Sequence, residues 1–116
     1  MWTIVTRPRF DQWFYRQTDR VQEEMLAVLT LLQQDGPNLG RPQVDTLKGS
    51  AYGNMKELRV QTAGHPIRAC FAFDPHRQAI VLCAADKKGM GRRFYQQLIK
   101  TADAEYAAHL QTLENE

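Results

Sequence analysis

The sequence predicts an α/β (α+β) domain, on three observations. Residues 2–6, WTIVT, are β-branched and aromatic, as a first strand requires. Residues 8–35 carry two amphipathic helical patterns in succession. Residues 54–89, NMKELRVQTAGHPIRACFAFDPHRQAIVLCAADKKG, alternate short apolar runs with Gly64, Pro66 and Asp74-Pro75, the pattern of a three-stranded antiparallel meander.

In chain order, Pro8 suits the first turn of a helix, and Phe10, Trp13 and Phe14 then fall on one face at i, i+3 and i+4. Thr18 or Asp19 caps a second helix, whose Val21, Met25, Val28, Leu29 and Leu32 keep helical spacing until Gly36 and Pro37 end it. The two form a helical hairpin whose oily faces belong on the sheet. Residues 38–53, NLGRPQVDTLKGSAYG, read as irregular. The segment is either a plain crossover or a loop in which Arg41 and Lys48 reach an anionic ligand. After the meander, Phe94, Leu98, Ala102, Tyr106 and Leu110 step by four residues along a final helix, with Tyr95 and Ile99 beside them. Beyond Leu110 the polar end is expected to fray.

With 116 residues the chain suits one domain, 1–116. Nothing approaches the roughly 18 apolar residues of a membrane span, and the start lacks a signal peptide's apolar centre, so a cytoplasmic protein is expected. Cys70 and Cys83 fall in predicted strands, which favours buried reduced thiols. There is no CxxC pair, His65, His76 and His109 are scattered, and no phosphate-cradling glycine motif occurs; neither metal nor cofactor is expected. The formal charge of +2 is uneven. Residues 101–116 hold four acidic groups and no Lys or Arg, leaving fifteen basic against nine acidic groups in the first hundred. A basic body suits an anionic partner such as nucleic acid.

A two-residue hairpin loop at Ala63-Gly64 fixes which side chains share a face. Leu58, Val60, Ile67, Ala69, Phe71 and Phe73 then form an oily face, and Glu57, Arg59, Arg68, Cys70 and Ala72 an open one, with two guanidiniums side by side. These arginines either pair with a surface carboxylate such as Glu57 or bind phosphate, for which their planar forks are suited. With Lys56, Lys87, Lys88, Glu57 and Tyr95 they make a set sufficient for RNA cleavage without a metal. A 2′-hydroxyl attacks the neighbouring phosphate, cations stabilise the transition state, Glu57 or a lysine takes the proton, and Tyr95 stacks on a base.

The phrases DTLKG, ELR, IRACFAFDP and ADKKG, in this order between a helical hairpin and a terminal RRFYQQLIKTADAEYAAHL, resemble the phage-derived HigB-like branch of the RelE/ParE toxin superfamily of type II toxin–antitoxin systems. The resemblance implies a helical hairpin packed on a twisted, mainly antiparallel sheet of about four strands, with a C-terminal helix. It implies an endoribonuclease that cuts mRNA on the ribosome and is silenced by a helix-turn-helix antitoxin in a hetero-oligomer. By position, Arg59 and Arg68 match arginines lining the family's RNA-facing cleft, Lys87 falls where catalytic or phosphate-binding groups follow the last strand, and Tyr95 is a looser match. Glu57 completes the candidate catalytic set, and Lys48, Lys56, Lys88, Arg92 and Arg93 are candidate RNA contacts. A ParE-like gyrase inhibitor without nuclease activity and a non-catalytic antitoxin-binding protein are the alternatives.

Overall fold

The computed structural model describes residues 1–116. The elements run β1 (Thr3–Thr6), α1 (Pro8–Tyr15), α2 (Asp19–Asp35), β2 (Val44–Thr46), β3 (Lys56–Thr62), β4 (His65–Phe73), β5 (Gln78–Asp86) and α3 (Arg93–Glu114). The strands form one sheet in the order β1-β5-β4-β3-β2. Only β1, parallel to β5, departs from the antiparallel pattern. The sheet has five strands where about four were expected, because β2 lies inside the segment read as irregular and pairs with the start of β3.

The local chemistry of the helical hairpin is as the sequence requires. Pro8 opens α1, and Thr18 caps α2 by accepting a hydrogen bond from the Val21 amide. Gly36 ends α2 at φ 55°, a conformation in which a Cβ is costly. Ala63 and Gly64 both take positive φ, the signature of a type I′ turn, and β3 and β4 pair in the expected register, with Arg59 directly opposite Arg68.

Both faces of the sheet are covered. On one, Leu58, Val60, Ile67, Ala69, Phe71 and Val81 pack with Phe10, Met25, Leu29 and Leu32 of the hairpin. On the other, Met55, Cys70, Ala72, Ile80 and Leu82 pack beneath Phe94, Leu98, Ala102 and Tyr106 of α3. The face expected to stand open is therefore closed along most of its length; Cys70 and Ala72 are fully buried, and the two cysteines are free thiols directly opposite one another. A bulge lets β5 serve this second core. Cys70 pairs with Cys83 but Phe71 with Val81, so Leu82 is the extra residue, and Leu82 and Cys83 both turn toward α3. Helix α3 continues to Glu114, a turn past the point where fraying was expected. No helix is long and apolar enough to cross a membrane.

Candidate active-site cleft

Where α3 begins, its cover over the second face is incomplete, and the ends of β2, β3 and β5 leave an open cleft of about 440 Å³. Asp45, Thr46, Leu47, Lys48, Glu57, Arg59, Lys87 and Tyr95 line it. Strand alternation places Glu57 and Arg59 on this face of β3, and the type I′ hairpin brings Arg68 of β4 beside Arg59. Lys87 follows β5 directly, its amide held by the Pro66 carbonyl at 2.9 Å. Tyr95 comes from the first turn of α3.

Glu57 sits at the centre. It was expected at the surface, yet it is 2% exposed, because α3 and Tyr95 close over it. Its Oε1 accepts from Arg59 Nε at 2.8 Å and from the Tyr95 hydroxyl at 3.3 Å, and lies 3.8 Å from Arg68 Nε. Its Oε2 and the Arg68 Nε have no hydrogen-bond partner although both are buried. A buried charged group left partly unsatisfied is costly, and Arg68 is held instead by the charge of Glu57 at 3.8 Å and by its Nη1 donating to the Ile67 carbonyl at 3.1 Å.

Asp45 of β2, which the sequence reading missed, holds the other side of Arg59. Its Oδ2 accepts from Arg59 Nη2 at 3.1 Å and from Arg41 Nη2 at 2.8 Å. The Arg41 bond leads in drawing the Asp45 carboxyl below its usual range, with the Thr46 amide and the charges of both arginines assisting against desolvation. The Glu57 bond in turn raises Arg59. Burial pushes the Tyr95 phenol up; the Glu57 contact adds to this and Arg68 opposes it, so the hydroxyl stays an intact donor. Lys87 Nζ stands 5.1 Å over the Tyr95 ring, within cation–π range. Lys56 reaches Thr46 Oγ1 at 3.4 Å, on the cleft's edge. Arg59, Arg68, Lys48 and Lys87 thus outnumber Asp45 and Glu57, and the cleft is electropositive.

Of the predicted residues, Glu57, Arg59, Lys87, Tyr95 and Lys48 line the cleft, and Arg68 and Lys56 adjoin it. Lys88, Arg92 and Arg93 do not: they are exposed in the segment between β5 and α3 and at that helix's start.

Residues 12–107 match the family model described as "Phage derived protein Gp49-like (DUF891)". The chain belongs to the Gp49-like family. This Gp49-like protein is 42% identical over 108 residues to a Mycobacterium tuberculosis protein assigned by name as the toxin HigB2, across 92% of its own length but 54% of that protein's. It is 42% identical over 100 residues to a second, assigned as the toxin HigB3, covering 86% of each. It is thus HigB-like. Its fold is that of Escherichia coli RelE: a double mutant of that toxin in the free state superposes with TM-score 0.61 at 11% identity, over 85% of this chain and 95% of that one. The isolated RelE toxin gives 0.60 at 12% identity, over 86% and 97%.

Proposed function

We propose that this Gp49-like protein is the toxin of a type II toxin–antitoxin system, an endoribonuclease that cleaves mRNA on the ribosome without a metal ion. The names of its relatives support the toxin reading. The observation that carries the nuclease reading is the pair of adjacent guanidiniums, Arg59 lining an open basic cleft and Arg68 adjoining it, both held by one buried carboxylate. The scissile phosphate seats against the guanidiniums from the cleft side, chiefly that of Arg59, whose side chain is 36% exposed against 14% for Arg68. The arginines bind its non-bridging oxygens and stabilise the charge that builds as the 2′-hydroxyl attacks. The 2′-hydroxyl proton passes through the Tyr95 hydroxyl to Glu57, and Lys87 protonates the leaving 5′-oxygen, giving a 2′,3′-cyclic phosphate and a 5′-hydroxyl. Lys48 and Lys56 hold flanking phosphates, and Lys88, Arg92 and Arg93 extend the positive field toward ribosomal RNA. In the cytoplasm a cognate helix-turn-helix antitoxin neutralises the toxin in a hetero-oligomer.

The test is cleavage of a translated message by purified protein in a reconstituted translation reaction, mapped by primer extension, with a ribosome-free arm. Arg59→Ala and Arg68→Ala each lower cleavage by about 100-fold or more and leave the melting curve nearly unchanged. Intact message with the unsubstituted protein, alongside stoichiometric inhibition of gyrase supercoiling, would overturn the proposal in favour of gyrase poisoning. Chelation of the added RNA-only arm's divalent ions leaves any cleavage there unaffected.

A further inference from the structure

A second concavity lies on the far side of the β5 end from the cleft. Asp86 lines it, while the next residue, Lys87, lines the cleft. Between α1 and the start of α3 the chain leaves a groove of about 310 Å³ whose floor includes Trp13, Phe94, Leu98 and Met90. Met90 is 49% exposed, a large apolar side chain with no cover. Arg9 and Arg16 stand on its α1 wall, both exposed. Neither makes an ion pair or a side-chain hydrogen bond, unlike Arg7, Arg41, Arg59 and Arg68. The one carboxylate lining the groove, Asp86, is already engaged by His65 Nδ1 and the Lys88 amide.

We propose that this groove docks an amphipathic helix of a partner protein whose two carboxylates, seven residues apart, pair with Arg9 and Arg16. The two arginines are seven residues apart at the start and end of α1, so they are separated by about 10 Å along the helix direction. Carboxylates at i and i+7 of an adjacent helix match that interval, and apolar residues at i+3 and i+4 then point down between them, onto Trp13, Met90 and Leu98. The charge complementarity selects an acidic helix, and the apolar floor selects an amphipathic one. A nucleic-acid strand fits less well, because its phosphates would lie over Met90, Phe94 and Leu98 instead of cations.

The probe is a stapled helical peptide of three to four turns with Glu at i and i+7 and Leu at i+3 and i+4, compared with the same peptide carrying Lys for Glu. Trp2 and Trp13 are the only tryptophans, so in a Trp2→Phe protein the emission reports on the groove. Calorimetry on the unsubstituted protein gives the same reading without that substitution. The Glu peptide binds at least about tenfold more tightly than the Lys peptide, shifts Trp13 emission, and weakens as salt rises. In the Arg9→Glu/Arg16→Glu protein, whose folding is checked by its melting curve, the preference reverses, and mRNA cleavage is unchanged because both residues lie outside the cleft. Absence of Glu-peptide binding, equal binding of the two peptides, or a preference that survives the charge reversal would overturn the proposal. So would an RNA oligonucleotide that shifts Trp13 emission and loses this effect on charge reversal, which would make the groove a nucleic-acid contact.

Discussion

Glu57 decides what the two arginines can do. Guanidiniums on neighbouring strands repel, and a carboxylate 2% exposed beneath them both offsets that repulsion and fixes where their free N–H groups point. Breaking one member out of such a cluster is more damaging than its net worth suggests, because the remaining charges lose their compensation. Glu57→Gln is therefore expected to lower single-turnover cleavage by about 100-fold or more and also to lower the melting temperature, whereas Tyr95→Phe, which keeps the ring beneath Lys87, lowers cleavage with little change in melting. Rapid-quench assays on radiolabelled RNA, paired with thermal melts, separate the two. The arginines were legible in the sequence because a two-residue turn with glycine fixes strand register, and register fixes faces. Glu57 was misread because a carboxylate alternating with arginine on a strand looks solvated. What contradicted that reading was already present: the same face continues into Cys70 and Ala72, side chains suited to lying under a helix. Asp45 gave no comparable signal, since its role depends on a strand pairing that the sequence does not display.

The elements were legible wherever a local rule fixes them. Thr18 caps α2 and Gly36 ends it, and both depend on chemistry within a few residues. Thr18→Ala should cost about 1 kcal/mol of unfolding free energy, measured by urea denaturation. Gly36 carries a heavier constraint. Its φ of 55° disfavours any side chain, and a Cβ there would run into the Trp2 indole, whose backbone amide is held by the Gln33 carbonyl at the same end of α2. Gly36→Ala is expected to cost on the order of 1–3 kcal/mol. Gly40→Ala, four residues on, meets no atom within 4 Å and should stay within about 0.5 kcal/mol of neutral; equal costs at the two positions would show that the Trp2 contact is irrelevant. Strand β2 was missed for the opposite reason. Val44–Thr46 is three residues long among glycines and a proline, and it exists because β3 offers an edge to pair with. The β5 bulge is invisible for the same reason: only pairing with β4 reveals that Leu82 is the extra residue.

Across the whole molecule, α3 acts as a strap tied down along its length, at its start, middle and end. Tyr95 meets Glu57 at its start, Asp103 accepts from the Ser50 hydroxyl and the Ala51 amide near its middle, and His109 meets Asp74 near its end. The last contact is buried, with Asp74 6% and His109 6% exposed. Asp74 also accepts from the His76 and Gln78 amides and the Gln78 side chain, so one carboxylate shapes the β4–β5 turn and ties it to the helix. Burial alone would raise the Asp74 carboxyl, but the bonds from His109 and Gln78 more than offset it, and the net shift is downward. A folded-state value below the unfolded one, about 3.9 for Asp, means that the carboxylate form stabilises the fold. That contribution is present in full above the unfolded value and is lost as pH falls through the depressed folded value. The melting temperature of the unsubstituted protein should therefore exceed that of Asp74→Asn at neutral pH, and the gap should close as pH is lowered below about 4. Calorimetric melts at matched ionic strength measure it. A gap that persists undiminished into strong acid would mean that Asp74 works through the turn's shape and not through its charge. Cleavage by Asp74→Asn at 25 °C should match the unsubstituted protein, because the Asp74–His109 contact sits at the opposite end of α3 from Tyr95.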